Sequence, residues 1–183
     1  MGGWAELLDR IDGCRLCGLC GERQNTVPGE GDPNARLMLI GEGPGAEEDR
    51  SGRPFVGASG QLLEAMLREI GLNRRQVYIC NVVKCRPPNN RTPQEQEAMA
   101  CLPYLDAQID LVKPEFLLLL GGTAGRYLLG PDARIRRDHG QWFEYRGIKA
   151  MLTYHPSAML RDERQKIEAW RDFLALKERL NNF

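Results

Sequence analysis

Six cysteines are spread over the 183 residues, and two of them, Cys14 and Cys17, carry the Cys-x-x-Cys spacing of a metal-binding turn. Cys85 and Cys101 follow far along the chain. Four thiolates suit either a zinc ion or an iron–sulfur cluster, and the spacing does not choose between them. Cys20, three residues beyond Cys17, offers a competing ligand. Cys80, in the apolar run Val77-Tyr78-Ile79-Cys80, reads as a small buried hydrophobe.

A second group of residues could bind and act on a small polar ring. Gly41-Glu42-Gly43-Pro44-Gly45 would let backbone amides approach a ligand closely. It is not a dinucleotide fingerprint, because no third glycine stands at the required spacing and Pro44 interrupts it. Asn81 offers one amide donor and one acceptor, and His155, in Tyr154-His155-Pro156-Ser157, offers an imidazole. Taken singly, each has an ordinary structural use: a tight turn, a strand-end amide, a satisfied core histidine.

The elements that must position these groups are legible from periodicity. Trp4, Leu7, Leu8 and Ile11 recur at helical spacing ahead of the cysteine turn. A Gly/Pro/Asn-rich segment from Asn25 to Asn34 leads to a short buried strand at 36–40. Leu62, Leu63, Met66, Leu67 and Ile70 give one face of a helix capped by Ser59 and ended by Gly71. A second strand spans 77–83. Thr92-Pro93-Gln94-Glu95 reads as a helix start, with Thr92 as N-cap and Glu95 completing a capping box; this helix carries Cys101 and ends near Lys113-Pro114. A third strand at 115–120 breaks at Gly121-Gly122, and a short helix runs to Leu129. Residues 142–153 read as a hairpin feeding a fourth strand. A last helix turns Ile167, Trp170, Phe173, Leu174 and Leu180 inward. Alternating strands and helices predict an α/β fold: a three-layer α/β/α sandwich around a four-stranded, mostly parallel sheet, forming a single domain over 1–183. Ligands of such sheets bind at the carboxyl ends of the strands, where Gly41, Asn81, Gly121 and His155 fall.

Composition sets the bounds. No apolar run approaches the roughly 20 residues of a membrane span, and Met1-Gly2-Gly3-Trp4 lacks the basic-then-apolar order of a signal peptide, so a cytoplasmic protein with no membrane contact is expected. In that compartment thiols stay reduced, which favours metal over disulfides. Twenty-five basic and 25 acidic residues cancel, so the strongly basic signature of many nucleic-acid binders is absent. Local basic stretches remain, at Lys84, Arg86 and Arg91 and at Arg134, Arg136 and Arg137.

Read together, the runs Gly41–Asp49, Gly52-Arg53-Pro54-Phe55-Val56-Gly57, Asn81–Arg91 and Tyr154–Ser157 resemble the type 4 uracil-DNA glycosylases. These are the iron–sulfur branch of the uracil-DNA glycosylase superfamily in bacteria and archaea, and the resemblance spans Cys14 to about Arg161. It implies a [4Fe–4S] cluster on Cys14, Cys17, Cys85 and Cys101, tying on the N-terminal segment and leaving Cys20 and Cys80 spare. It implies uracil-containing DNA, single- or double-stranded, as partner, with the base flipped into a closed pocket. Phe55 would stack on the uracil. Asn81 would donate to O4 and accept from N3–H, a pairing that cytosine reverses. His155, with the backbone amides of Gly41, Glu42 and Gly43, would hydrogen-bond O2 as negative charge develops.

The first motif departs from the best-known uracil-DNA glycosylases, with Gly43 and Gly45 where those enzymes carry Asp and Tyr. Glu42 is then the nearest carboxylate for the attacking water, and Glu47 a candidate for blocking C5; both could equally be solvated loop acids. Met159 and Leu160 match the wedge that fills the vacated stack, with Ser157 and Arg161 near the phosphates beside Lys84, Arg86 and Arg91. No motif lysine suggests a Schiff base, so a monofunctional, monomeric enzyme leaving an abasic site is expected. No terminal peptide motif marks a sliding-clamp contact. Three rivals remain. One is a superfamily relative acting on another base such as hypoxanthine, or crosslinking through an added histidine. Another is a non-catalytic iron–sulfur DNA-binding module, which leaves Asn81 and His155 without a role. A phosphate-binding α/β enzyme is disfavoured by the acids Glu42, Glu47, Glu48 and Asp49 in the loop.

Overall fold

The computed structural model describes residues 2–182; Met1, where the N-terminal stretch begins, and Phe183 lie outside the described residues. Helix α1 (Trp4–Asp12) leads through the cysteine turn to strands β1 (Glu30–Gly31) and β2 (Leu37–Gly41). Helices α2 (Ala46–Ser51) and α3 (Ala58–Glu69) precede β3 (Tyr78–Asn81). Helix α4 (Glu95–Val112), β4 (Phe116–Leu120), and helices α5 (Gly122–Leu129) and α6 (Ile135–Asp138) follow. The hairpin β5 (Trp142–Tyr145) and β6 (Ile148–Thr153) leads to α7 (Pro156–Arg161) and α8 (Glu163–Asn181).

The sheet has six strands in the order β1-β3-β2-β4-β6-β5, and it is mixed rather than four-stranded. The central four are parallel, as expected, and β1 and β5 pair antiparallel at the two edges. The hairpin therefore contributes its own strand. Strand β1 is two residues long and lies inside the Gly/Pro/Asn-rich segment, where no period-2 pattern could betray it.

All five residues of β4 are buried, and their alternation sorts them onto two faces. Leu117 and Leu119 join Leu7, Ile11, Leu105 and Ala124 on the side of α1, α4 and α5. Phe116, Leu118 and Leu120 join Leu63, Met159 and Phe173 on the side of α3, α7 and α8. Each such leucine contributes about 1.5–3 kcal/mol by leaving water. Helix α1 docks through this core: Leu7 and Ile11 are buried, and the Trp4 and Tyr78 rings lie 5.3 Å apart.

Three local expectations are corrected. Gly57, not Ser59, is the N-cap of α3. Helix α4 begins after Gln94, because Glu97 rather than Glu95 turns back to accept from the Gln94 N–H at 2.8 Å while also holding Arg91. In α8, Ile167 and Leu174 are exposed, and Ala169, Phe173 and Leu176 make the buried stripe. No helix among the described residues is long and apolar enough to cross a membrane.

Candidate active site

The carboxyl ends of β2, β3, β4 and β6 open onto one cleft of about 530 Å³, in the size range of small-ligand sites. Register brings its parts together. Gly41 pairs with Asn81, and the two loops stay zipped beyond the strands through Val82 N–H to Gly41 O (2.9 Å) and Val83 N–H to Glu42 O (3.2 Å). A Cβ on Gly41 would fall 2.5 Å from both Asn81 Oδ1 and the Phe55 ring, so only glycine lets the amide and the aromatic face the same space. Phe55 lies 5.6 Å, centroid to centroid, from the His155 ring.

Asn81 is 1% exposed, and its Oδ1 is buried without a hydrogen-bond partner among the described residues. An unmet buried acceptor costs about 1–3 kcal/mol, which a ligand N–H in the cleft would return.

His155 is the N-cap of α7, and its Nδ1 accepts from the Ser157 N–H (3.1 Å) with Ser157 Oγ at 2.8 Å. A ring nitrogen that accepts a backbone N–H is unprotonated, so the neutral imidazole carries its proton on Nε2. Burial, together with nearby Arg161, lowers the His155 pKa to about 4. The group is thus a neutral donor at physiological pH.

Carboxylates fix the loops around it. Glu42 Oε2 accepts from Thr123 Oγ1, at the start of α5, at 2.5 Å. Glu48 bridges two loops, taking Gly45 N–H on Oε1 (3.1 Å) and Val56 and Gly57 N–H on Oε2 (2.9 and 2.8 Å). Asp49, also buried, caps the Gln24 N–H of the N-terminal segment at 2.9 Å. Two of the four loop acids are therefore spent on backbone amides. Glu47 stays exposed at the rim and pairs with Arg50.

Two of the expected DNA contacts, Lys84 and Met159, are placed differently. Lys84 is 1% exposed, with Nζ donating to Asn81 O (2.6 Å) and Gln108 Oε1 (2.7 Å); it is an interior strut behind the cleft, not a phosphate contact. Met159 is 1% exposed and packs in the core, because α7 turns Leu160 outward (53% exposed) and its neighbour inward. Arg91 holds Glu97 by two bonds, Arg86 reaches Asn90, and Arg161 lines the cleft with Ser157.

Behind the cleft, Cys14, Cys17, Cys20, Cys85 and Cys101 line one enclosure. Among the described residues no three Cys, His, Asp or Glu side chains converge on a single metal ion. The donor chemistry nevertheless fits a metal–sulfur group. Burial pushes the thiols of Cys17, Cys85 and Cys101 up, the last to about 11, and bound metal displaces such protons. Donors already address the sulfurs: Arg23 Nη1 to Cys85 Sγ at 3.2 Å, and Lys84 N–H to Cys101 Sγ at 3.3 Å. Cys80 is fully buried elsewhere in the core.

In the sequence Glu48 is legible only as one of four loop acids, and neither Thr123 nor the inward turn of Lys84 carries a signal. Glu48 and Thr123 sit next to residues that were singled out, but which oxygen meets which amide is settled only in three dimensions.

The family model of the uracil DNA glycosylase superfamily matches residues 28–174. The chain is 45% identical over 161 residues to a type-4 uracil-DNA glycosylase of Thermotoga maritima, covering 87% of this chain and 84% of that protein. It is 43% identical over 182 residues to one of Sulfurisphaera tokodaii, covering 94% and 83%. A type-5 uracil-DNA glycosylase of Pyrobaculum aerophilum is 35% identical over 151 residues, covering 73% and 66%.

Proposed function

The chain belongs to the uracil DNA glycosylase superfamily, with the type-4 enzymes as its near relatives, and on that footing we propose that it flips uracil out of DNA and hydrolyses its N-glycosidic bond. The observation that carries this reading is the orphaned Asn81 Oδ1, a buried acceptor aimed into a cleft walled by an aromatic ring and a neutral histidine. Uracil N3–H answers that acceptor, and the Asn81 amide N–H answers O4. Cytosine presents an acceptor at N3 and a donor at position 4, so it leaves two buried groups unmet, at roughly 1–3 kcal/mol each.

The chemistry follows from the groups at hand. Phe55 stacks on the base and holds it against the Gly41–Gly43 turn. As the N1–C1′ bond breaks, its electron pair passes into the uracil ring and charge accumulates on O2. His155 Nε2–H and the backbone amides of the turn stabilise that charge, and because the imidazole is neutral it acts as a donor rather than a general acid. Glu42, held by Thr123, orients the water that attacks C1′ and takes its proton, leaving an abasic sugar and the uracil anion, which gains a proton from solvent on release. No lysine lines the cleft among the described residues, and Lys84 Nζ is turned away, which favours a monofunctional reaction. Leu160 fills the vacated stack, Arg161, Arg86 and Arg91 face phosphates, and the enzyme acts as a monomer on single- or double-stranded DNA.

Cys14, Cys17, Cys85 and Cys101 would hold a [4Fe–4S] cluster, a group whose protein ligands are cysteine thiolates. When bound, it supplies a cross-link between the N-terminal segment and the loops after β3. Excision of uracil, but not cytosine, from a labelled oligonucleotide tests the reading. Asn81→Ala should lose at least about 10-fold in kcat/KM on uracil. Equal activity of that variant would sink the assignment of Asn81.

A further inference from the structure

Phe55 carries the base-stacking ring at φ +50°, a left-handed conformation that bulky side chains rarely adopt and that persists only where its surroundings impose it. Arg74, in the turn between α3 and β3, lines a separate surface recess and is absent from the cleft. Its side chain is 12% exposed. Nη1 donates to Phe55 O at 2.6 Å and Nη2 to Pro54 O at 2.5 Å, so one guanidinium spans two successive carbonyls. Glu30, on edge strand β1, fixes that guanidinium through Nη2 at 2.7 Å and Nε at 3.2 Å. On the far side Gly60 leaves no slack: a Cβ there would lie 1.8 Å from Phe55 O.

We propose that Arg74 is a positioning residue for base excision, holding the Pro54-Phe55 carbonyls in the strained conformation that presents the Phe55 ring to the flipped base. It rests on the reading of Phe55 as the stacking residue and adds the device that aims it. The planar fork matters here, because a lysine ammonium could keep the charge pair with Glu30 but could not bridge both carbonyls in one fixed geometry. Strand β1, too short to be recognised in the sequence, acquires a purpose: it places Glu30 where Arg74 needs an anchor.

A double-mutant cycle under single-turnover conditions tests this, with Arg74→Ala, Phe55→Ala and the pair measured on uracil-containing DNA beside wild type. Arg74→Ala should lose about 5- to 100-fold in kcat/KM, and in the Phe55→Ala background it should cost less than about 2-fold more. Arg74→Lys should fall on the side of Arg74→Ala; if Arg74→Ala gives no cooperative melt, the cycle is run with Arg74→Lys. Losses that multiply, or an Arg74 variant as active as wild type while Phe55→Ala is impaired, would overturn the proposal. Wild-type protein inactive on uracil would instead strike the glycosylase reading itself.

Discussion

Removing the imidazole at position 155 isolates the step on which the chemistry depends. The structure makes His155 a neutral donor: Nδ1 is occupied by the Ser157 N–H, and burial beside Arg161 lowers the pKa to about 4. At pH 7 the neutral imidazole is then the dominant form. Loss of one preorganised donor facing a developing oxyanion costs about 10²–10³ in rate. His155→Ala should therefore slow single-turnover excision by that factor while leaving DNA affinity nearly unchanged, since the charge exists only in the transition state. Ser157→Ala, which keeps the backbone N–H and hence the tautomer, should cost far less. Between pH 6 and 9 the wild-type rate should show no step attributable to His155. Stability carries the same signature. With a folded-state pKa below the ordinary 6.5, the unfolded chain takes up the proton first as pH falls, so this site destabilises the fold progressively between pH 6.5 and 4. A wild-type rate that rises or falls about a midpoint near 6.5 and is lost with His155, or a His155→Ala variant within about 5-fold of wild type, would show that His155 is not a neutral donor to the developing charge.

Glu42→Gln should lower the single-turnover rate by about 10²–10⁴ if the carboxylate acts as general base. Thr123→Val, which removes the 2.5 Å bond to it, should cost up to about 10- to 100-fold, with Thr123→Ser restoring most of it. Cys85→Ser should strip iron and the visible absorbance. It opens a cross-linked loop of about 70 residues, worth roughly 4 kcal/mol by chain entropy, and should lower the melting temperature accordingly. Leu160→Ala should impair excision from duplex DNA while sparing single strands, where no stack needs filling; Met159→Leu should alter neither, because Met159 is a core residue.

Much of this site was legible because its residues lie at the ends of strands whose apolar runs are unmistakable. Met38-Leu39-Ile40 and Phe116–Leu120 announce buried parallel strands, and topology then forces Gly41, Asn81, Gly121 and His155 to one rim. What escaped depends on side-chain direction. Lys84 follows Val83 in a basic-looking run, yet the short β3 ends at Asn81 and the chain turns the lysine inward to the Asn81 carbonyl. Glu95 and Glu97 both satisfy a helix-start pattern, and Arg91 decides between them by pairing with Glu97. Strand β1 exists because Glu30 and Gly31 lie against Ile79 and Tyr78, a contact far away in sequence that composition cannot reveal.

If the cleft reads the uracil edge and cuts its glycosidic bond, a panel of four substrates separates uracil from its neighbours in chemistry. Anaerobically purified protein is incubated with four oligonucleotides that differ at one position: uracil, thymine, cytosine or hypoxanthine. Free uracil and an intact, alkali-labile abasic strand are expected from the first alone. Folded protein that leaves uracil in place, or that releases another of these bases in preference to it, would mean that the cleft does not read uracil.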